Sequence, residues 1–263
     1  MSHIPPLDPN VAARKGFRES EERLKRFWTN VTIAPRTMAN GQSGFVVLLD
    51  GRAPKTPAHA PLILPTEASA SLAAEEWAAQ GEFIEPGTMP ATRLAATAID
   101  RVSQAREAVA EEIAAYAGSD LLCYLAEHPT GLVTEQASQW GPWRDWATAE
   151  LGVVLVATHG IVHQPQDPAT IGQVRAQALS LDDFALTGLA TAVPLLGSAV
   201  LGLALQRRAI SGTTAFEISR LDEAYQERQW GVDEEARQRT AARRAEAELL
   251  DRWFGALDPV PAA

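Results

Sequence analysis

Residues 45–57 read FVVLLDGRAPKTP, residues 62–80 read LILPTEASASLAAEEWAAQ, and residues 89–100 read MPATRLAATAID. The first stretch alternates apolar side chains and then meets Asp50-Gly51, a dipeptide that tolerates positive φ. It predicts a strand entering a tight turn. Thr66, after Pro65, is placed to cap an amphipathic helix running through Trp77 to Gln80, because its hydroxyl can accept from an orphan N–H of the first turn. Pro90 suits the first turn of a second helix, where its missing N–H leaves no bond unmade. The change from a period of two to a helical period within these stretches decides the fold class.

Working outward, strand signals run from Val31 to Leu64 and are punctuated by Gly41, Gly44, Gly51, Pro54, Pro57 and Pro61. Helical patterns then persist from Thr66 to Phe254, interrupted by the β-branched run Val153 to Val162, which reads as an extended connection or a strand. Glu19 to Trp28 reads as a short charged helix ending in an aromatic pair. Residues 1–18 read as a Pro-rich leader with no apolar signal core. Strands followed by helices predict an α+β protein, with a small strand-rich N-terminal domain over 19–88 and a larger all-helical C-terminal domain over 89–263.

A chain of 263 residues, 46% of them hydrophobic and 21% charged, can bury a full core. Its net charge of −10 works against general nucleic-acid binding, which needs clustered Lys and Arg to neutralise phosphates. Cys123 is alone, so an internal disulfide and a cysteine-based zinc site are excluded and a reducing compartment is the natural setting. Among Leu121, Leu122, Tyr124 and Leu125 it reads as a small buried hydrophobe.

Phe184 to Gln206 holds no charged residue and is long enough for a bilayer span of about 20 residues. Pro194 and Gly197 divide it, and two buried helices joined by a Pro-Leu-Leu-Gly turn would have the same composition. Trp140, Trp143 and Trp146 recur every third residue, as a recognition surface or as inter-helix packing. His159 and His163 have zinc-like spacing, yet Gly160 and the VVLVAT run before it oppose a helix there, and no HExxH follows. Ser198 follows Gly197 without a nucleophile elbow, and no phosphate-binding glycine loop occurs, so neither cofactor nor metal is expected. An enzyme would need a scattered site drawn from residues such as Asp100, Asp120, His159 and Glu223.

The C-terminal charge pattern is the most suggestive feature for a partner. Between residues 220 and 235, Asp222, Glu223, Glu227, Asp233, Glu234 and Glu235 face only Arg220 and Arg228. The next segment reverses sign with Arg237, Arg239, Arg243 and Arg244, and Trp230-Gly231 lies between the two, the glycine placed as a C-cap. The pattern fits two solvated helices with internal ion pairs, or an acidic patch around an aromatic anchor for a basic partner surface. On the second reading the candidate contacts are Asp222, Glu223, Gln226, Trp230, Asp233 and Glu234.

LDGRAPKTP, LAAEEWAAQ, MPATRLAATAID, GSAVLGLAL and SRLDEAYQERQWGVDEEA stand in the same order as in the assembly chaperones of the F1 sector of ATP synthase. The chain resembles the members that handle the alpha subunit in mitochondria and alphaproteobacteria, over about Phe27 to Phe254. The resemblance implies a soluble, non-enzymatic protein that holds an unassembled alpha subunit until the beta subunit takes its place. No stable membrane insertion, no nucleic-acid partner and a monomer when free are expected. The short leader and Ala/Arg-rich helices favour a bacterial cytoplasm over the mitochondrial matrix.

Overall fold

The computed structural model describes residues 24–37, 41, 43–160 and 162–258. The leader expected over 1–18 and the start of the helix expected from Glu19 lie outside these residues. Leu24 to Trp28 is extended, not helical: Arg26 N–H donates to the Glu82 carbonyl at 2.9 Å and Ile84 N–H to the Leu24 carbonyl at 2.8 Å. The reason is the aromatic pair. Trp28 is buried while its neighbour Phe27 is exposed, and an extended chain sends successive side chains to opposite faces.

Strands β1 (Val31–Thr37), β2 (Ser43–Leu49) and β3 (Ile63–Leu64) form an antiparallel sheet in that order, with Val31 opposite Leu49 and Phe45 opposite Leu64. Asp50 and Gly51 both take positive φ, at 47° and 80°, in the turn that leaves β2. Helix α1 (Glu67–Ala78) starts on the expected cap, where Thr66 Oγ1 accepts from Ser69 N–H at 3.0 Å and Ser69 Oγ from Thr66 N–H at 3.2 Å. It lies on the sheet, and Trp77 meets Trp28 edge-to-face with centroids 5.1 Å apart.

Helix α2 (Pro90–Thr97) opens at Pro90 without a side-chain cap of its own. Glu76 of α1 supplies one, accepting from Ala91 N–H at 2.6 Å and Thr92 N–H at 2.8 Å. A π-helical turn, Ala98–Val102, leads into α3 (Ser103–Ala117). In that turn Asp100 accepts from Thr56 Oγ1 at 2.6 Å and from Ala58 N–H at 2.9 Å. Two carboxylates therefore clip together the three stretches whose patterns decide the fold.

The remaining helices are α4 (Thr130–Trp146), α5 (Pro168–Leu179), α6 (Asp183–Leu196), α7 (Ala199–Gln206), α8 (Gly212–Ser219), α9 (Leu221–Trp230) and α10 (Glu234–Leu257). The run beginning at Val153 is extended and contains a two-residue strand, β5 (Thr158–His159), parallel to β4 (Tyr124–Leu125). The small sheet and the helices following it give an α+β fold, strand-rich at the N-terminal end and mainly helical beyond.

The uncharged segment from Phe184 onward forms α6 and α7, and no described helix is long and apolar enough to cross a membrane. The break falls later than expected. Pro194 stays inside α6, near its end, and the chain turns at Gly197, whose φ of 65° suits a residue without Cβ. Ser198 then caps α7, its Oγ accepting from Leu201 N–H at 3.1 Å. Helices α3, α7 and α10 all pack on α6. Close approach is built in at Gly202, where a Cβ would lie 2.6 Å from Val193 Cγ2, and at Gly212, where it would lie 2.2 Å from the Ala247 carbonyl oxygen. Trp140 is fully buried and its Nε1–H donates to the Ile218 carbonyl at 3.0 Å. Trp143 and Trp146 are half-buried against the core, so the tryptophan run serves packing.

Asp120, also fully buried, ties α7 to the chain after α3. Its Oδ1 accepts from Leu122 N–H at 3.1 Å and its Oδ2 from Val200 N–H at 3.2 Å. Burial pushes its carboxyl up to about 6 despite these donors and the Ser198 hydroxyl. The folded state therefore holds this proton more tightly than the unfolded chain. Its contribution to stability is fully present below about pH 4 and declines as pH rises through 6. Asp120→Asn should flatten that slope, changing the wild-type minus variant stability by on the order of 2–3 kcal/mol between pH 4 and 7 in urea titrations. An unchanged slope would show that the carboxylate is solvated.

Candidate functional site

Helix α9 has one face turned to the protein and one to solvent. On the side facing α4, Arg228 Nη2 donates to both carboxylate oxygens of Glu135 at 2.7 and 2.6 Å, and the guanidinium lies 5.2 Å over the Tyr225 ring. Tyr225 packs against Gly131, where a Cβ would come within 3.0 Å of its hydroxyl. Asp222 accepts from Gln136 Nε2 at 2.8 Å, and Gln136 Oε1 in turn accepts from Ala126 N–H at 2.7 Å. Burial holds the Asp222 carboxyl above the usual carboxylate range.

On the outer side, Glu223, Gln226 and Trp230 are exposed at spacings of three and four, which places them on one stripe. Trp230 is 80% exposed at the end of the helix. Gly231, with φ 81°, stops α9 there. Asp233 then caps α10 by accepting from Ala236 N–H at 2.7 Å, Glu234 pairs with Arg237 at 2.6 Å, and Glu235 with Arg239 at 2.6 Å.

This geometry revises the expected acidic patch. Of Asp222, Glu223, Asp233 and Glu234, only Glu223 lacks a cation or hydrogen-bond donor among the described residues. Asp222 locks α9 to α4, Asp233 serves a helix start, and Glu234 belongs to a local ion pair. Arg220, one of the two cations in this stretch, pairs with Glu227 at 2.6 Å. The structure thus keeps Glu223, Gln226 and Trp230 together as a solvent-facing stripe and gives the other candidates structural partners. Glu135 and Gln136, which hold the stripe in place, carry no sequence signal, being 93 and 86 residues from their partners.

The residues of a scattered active site do not meet. Asp100 clips a loop, Asp120 lies in the core, His159 is on β5, and Glu223 is exposed on α9. Three clefts of about 650, 150 and 280 Å³ are lined by none of them. No group of three metal-ligating side chains is gathered among the described residues, and His163 Nδ1 lies 3.1 Å from the Tyr124 hydroxyl.

Glu223 and Trp230 thus stand two turns apart on one solvent-facing stripe of a helix held from behind, with a carboxylate at one end and a large indole at the other. Residues 25–148 match the ATP12 chaperone protein family. Atp12 from Paracoccus denitrificans superposes with a TM-score of 0.83 at 44% identity, over 89% of this chain and 99% of that one. An aspartate-to-lysine mutant of Atp12p from the same organism gives 0.83 at 43%, over 89% and 98%. A proposed chaperone from Agrobacterium tumefaciens gives 0.83 at 36%, over 98% and 93%. The chain belongs to the ATP12 chaperone family.

The two sides of α9 should respond differently to substitution. Asp222→Ala strands Gln136 and should cost about 1–2 kcal/mol in chemical denaturation. Glu223→Lys and Trp230→Ala should each stay within about 0.5 kcal/mol of the parent. A large loss from either outer variant would mean that the stripe is structural.

Proposed function

We propose that this chain is an assembly chaperone for the F1 sector of ATP synthase, binding the unassembled alpha subunit and releasing it to the beta subunit. The observation that carries the reading is the match to Atp12 along nearly the whole of that protein, at 44% identity. The outer stripe of α9 supports it physically. Subunits awaiting assembly expose interfaces commonly larger than about 2,000 Å² and rich in apolar groups. Trp230 supplies a broad apolar contact, and Glu223 supplies a charge that sets register and speeds encounter.

In this reading the free chaperone is a monomer in the cytoplasm of an alphaproteobacterium. A charge contact of this kind is screened beyond about 8 Å at physiological ionic strength, so capture weakens with added salt. The test is light scattering by alpha subunit refolding from denaturant. Equimolar chaperone should suppress the signal, and Trp230→Ala combined with Glu223→Lys should abolish most of that suppression while the variant stays folded. Equal scattering with and without the wild-type chain would overturn the proposal. Suppression by the double variant equal to the parent's would move the client surface away from α9.

A further inference from the structure

Helices α3 and α6 pack together and leave a groove of about 280 Å³ between them. Val109, Glu112, Ile113 and Tyr116 line it from α3, and Ala190 and Pro194 from α6. The α3 residues follow the spacing i, i+3, i+4, i+7, so one stripe of that helix makes one wall. Val109, Ile113 and Val193 make the walls apolar.

Three polar groups at this groove can accept a hydrogen bond and lack a donor. A helix carbonyl normally accepts from the N–H four residues on, and four residues after Ala190 stands Pro194, which has no N–H. No described side chain donates to the Ala190 carbonyl, whereas the Leu195 carbonyl near the end of the same helix receives Arg243 Nη2–H at 2.6 Å. Glu112 is exposed and has no cation or donor among the described residues, although Glu107 and Glu111 on the same helix both pair with Arg175. The hydroxyl of the half-buried Tyr116 is likewise without a partner among the described residues. No lysine, arginine or histidine is among the described residues that line the groove.

The geometry points to a docking groove for a lysine side chain carried by a partner protein. An ammonium has three N–H donors and no acceptor, which suits a carboxylate, a carbonyl and a hydroxyl, and its four-carbon stem suits the aliphatic walls. Size separates a side chain from a free ligand. Sites for whole small molecules commonly occupy about 300–1,000 Å³, and this groove is smaller. An arginine fork matches the two oxygens of one carboxylate, whereas the acceptors here are spread over two helices. The inference does not depend on which client α9 binds.

Fluorescence anisotropy with a fluorescein-labelled, alanine-based helical peptide tests it, the peptide carrying one lysine with leucines three and four residues away. The full chain should bind this peptide, and replacing its lysine by norleucine should weaken binding by about tenfold, the loss of hydrogen bonds to a charged group. Glu112→Gln should weaken binding by about threefold, as expected for one exposed charge contact. Pro194→Ala is the sharper variant, because it restores the N–H that the Ala190 carbonyl lacks. It should melt no earlier than the parent while binding the peptide about threefold more weakly. Trp230→Ala should leave binding unchanged, which separates the groove from α9. Absence of binding, equal affinity for the lysine and norleucine peptides, indifference to either groove variant, or displacement of the peptide by an equal concentration of n-pentylammonium would overturn the proposal.

Discussion

Burial of a helical hairpin that carries no charge from Phe184 to Gln206 is the constraint on which the rest of the structure depends. Helices α6 and α7 carry Leu186, Leu189, Val193, Leu196, Leu201, Leu203 and Leu205, all nearly inaccessible to water. At roughly 1.5–3 kcal/mol for each buried aliphatic side chain, leaving this hairpin in solvent would exceed the net stability of a typical domain. The chain meets that demand by wrapping: α3 and α10 pack directly on α6, and Trp253 of α10 anchors its indole N–H on the Phe184 carbonyl at 3.2 Å. Gly202 and Gly212 have no side chain because one would collide with Val193 or with the Ala247 carbonyl.

A second layer of organisation comes from carboxylates aimed at backbone amides. Asp50 holds the start of β1 and the β2 turn, Glu76 caps α2, Asp100 clips the loop after β2, and Asp120 joins the start of α7 to the chain after α3. Each ties segments distant in sequence by bonds stronger than neutral ones. Acidic residues that look like surface charge in the sequence are in these places structural. The strand-rich end and the helical end share one core, with Trp28, Val47 and Leu64 in the same buried cluster as Leu189 and Trp253.

The exposed Glu223–Trp230 stripe lies on a helix braced from behind by the Arg228–Glu135 pair and the Asp222–Gln136 hydrogen bond, so the surface it offers has a fixed orientation. Exposed charges of this kind are screened by water and salt, and they direct encounter more than they add to affinity.

Local patterns determined much of this protein. The alternating run into Asp50-Gly51, the Thr66 cap, the Pro90 start and the extended run after Val153 were all legible because each rests on backbone preferences within a few residues. Five motifs in order were enough for the family. Local pattern could not say which charges are free. Asp222, Asp233 and Glu234 look alike in the sequence, yet one locks a helix, one caps a helix and one pairs with Arg237. The extended course of Leu24 to Trp28 was hidden for the same reason, since a charged run with two aromatics has helical character until Trp77 is there to receive Trp28. Whether a side chain meets solvent or a partner depends on contacts made across tens of residues, and only the tertiary structure decides them.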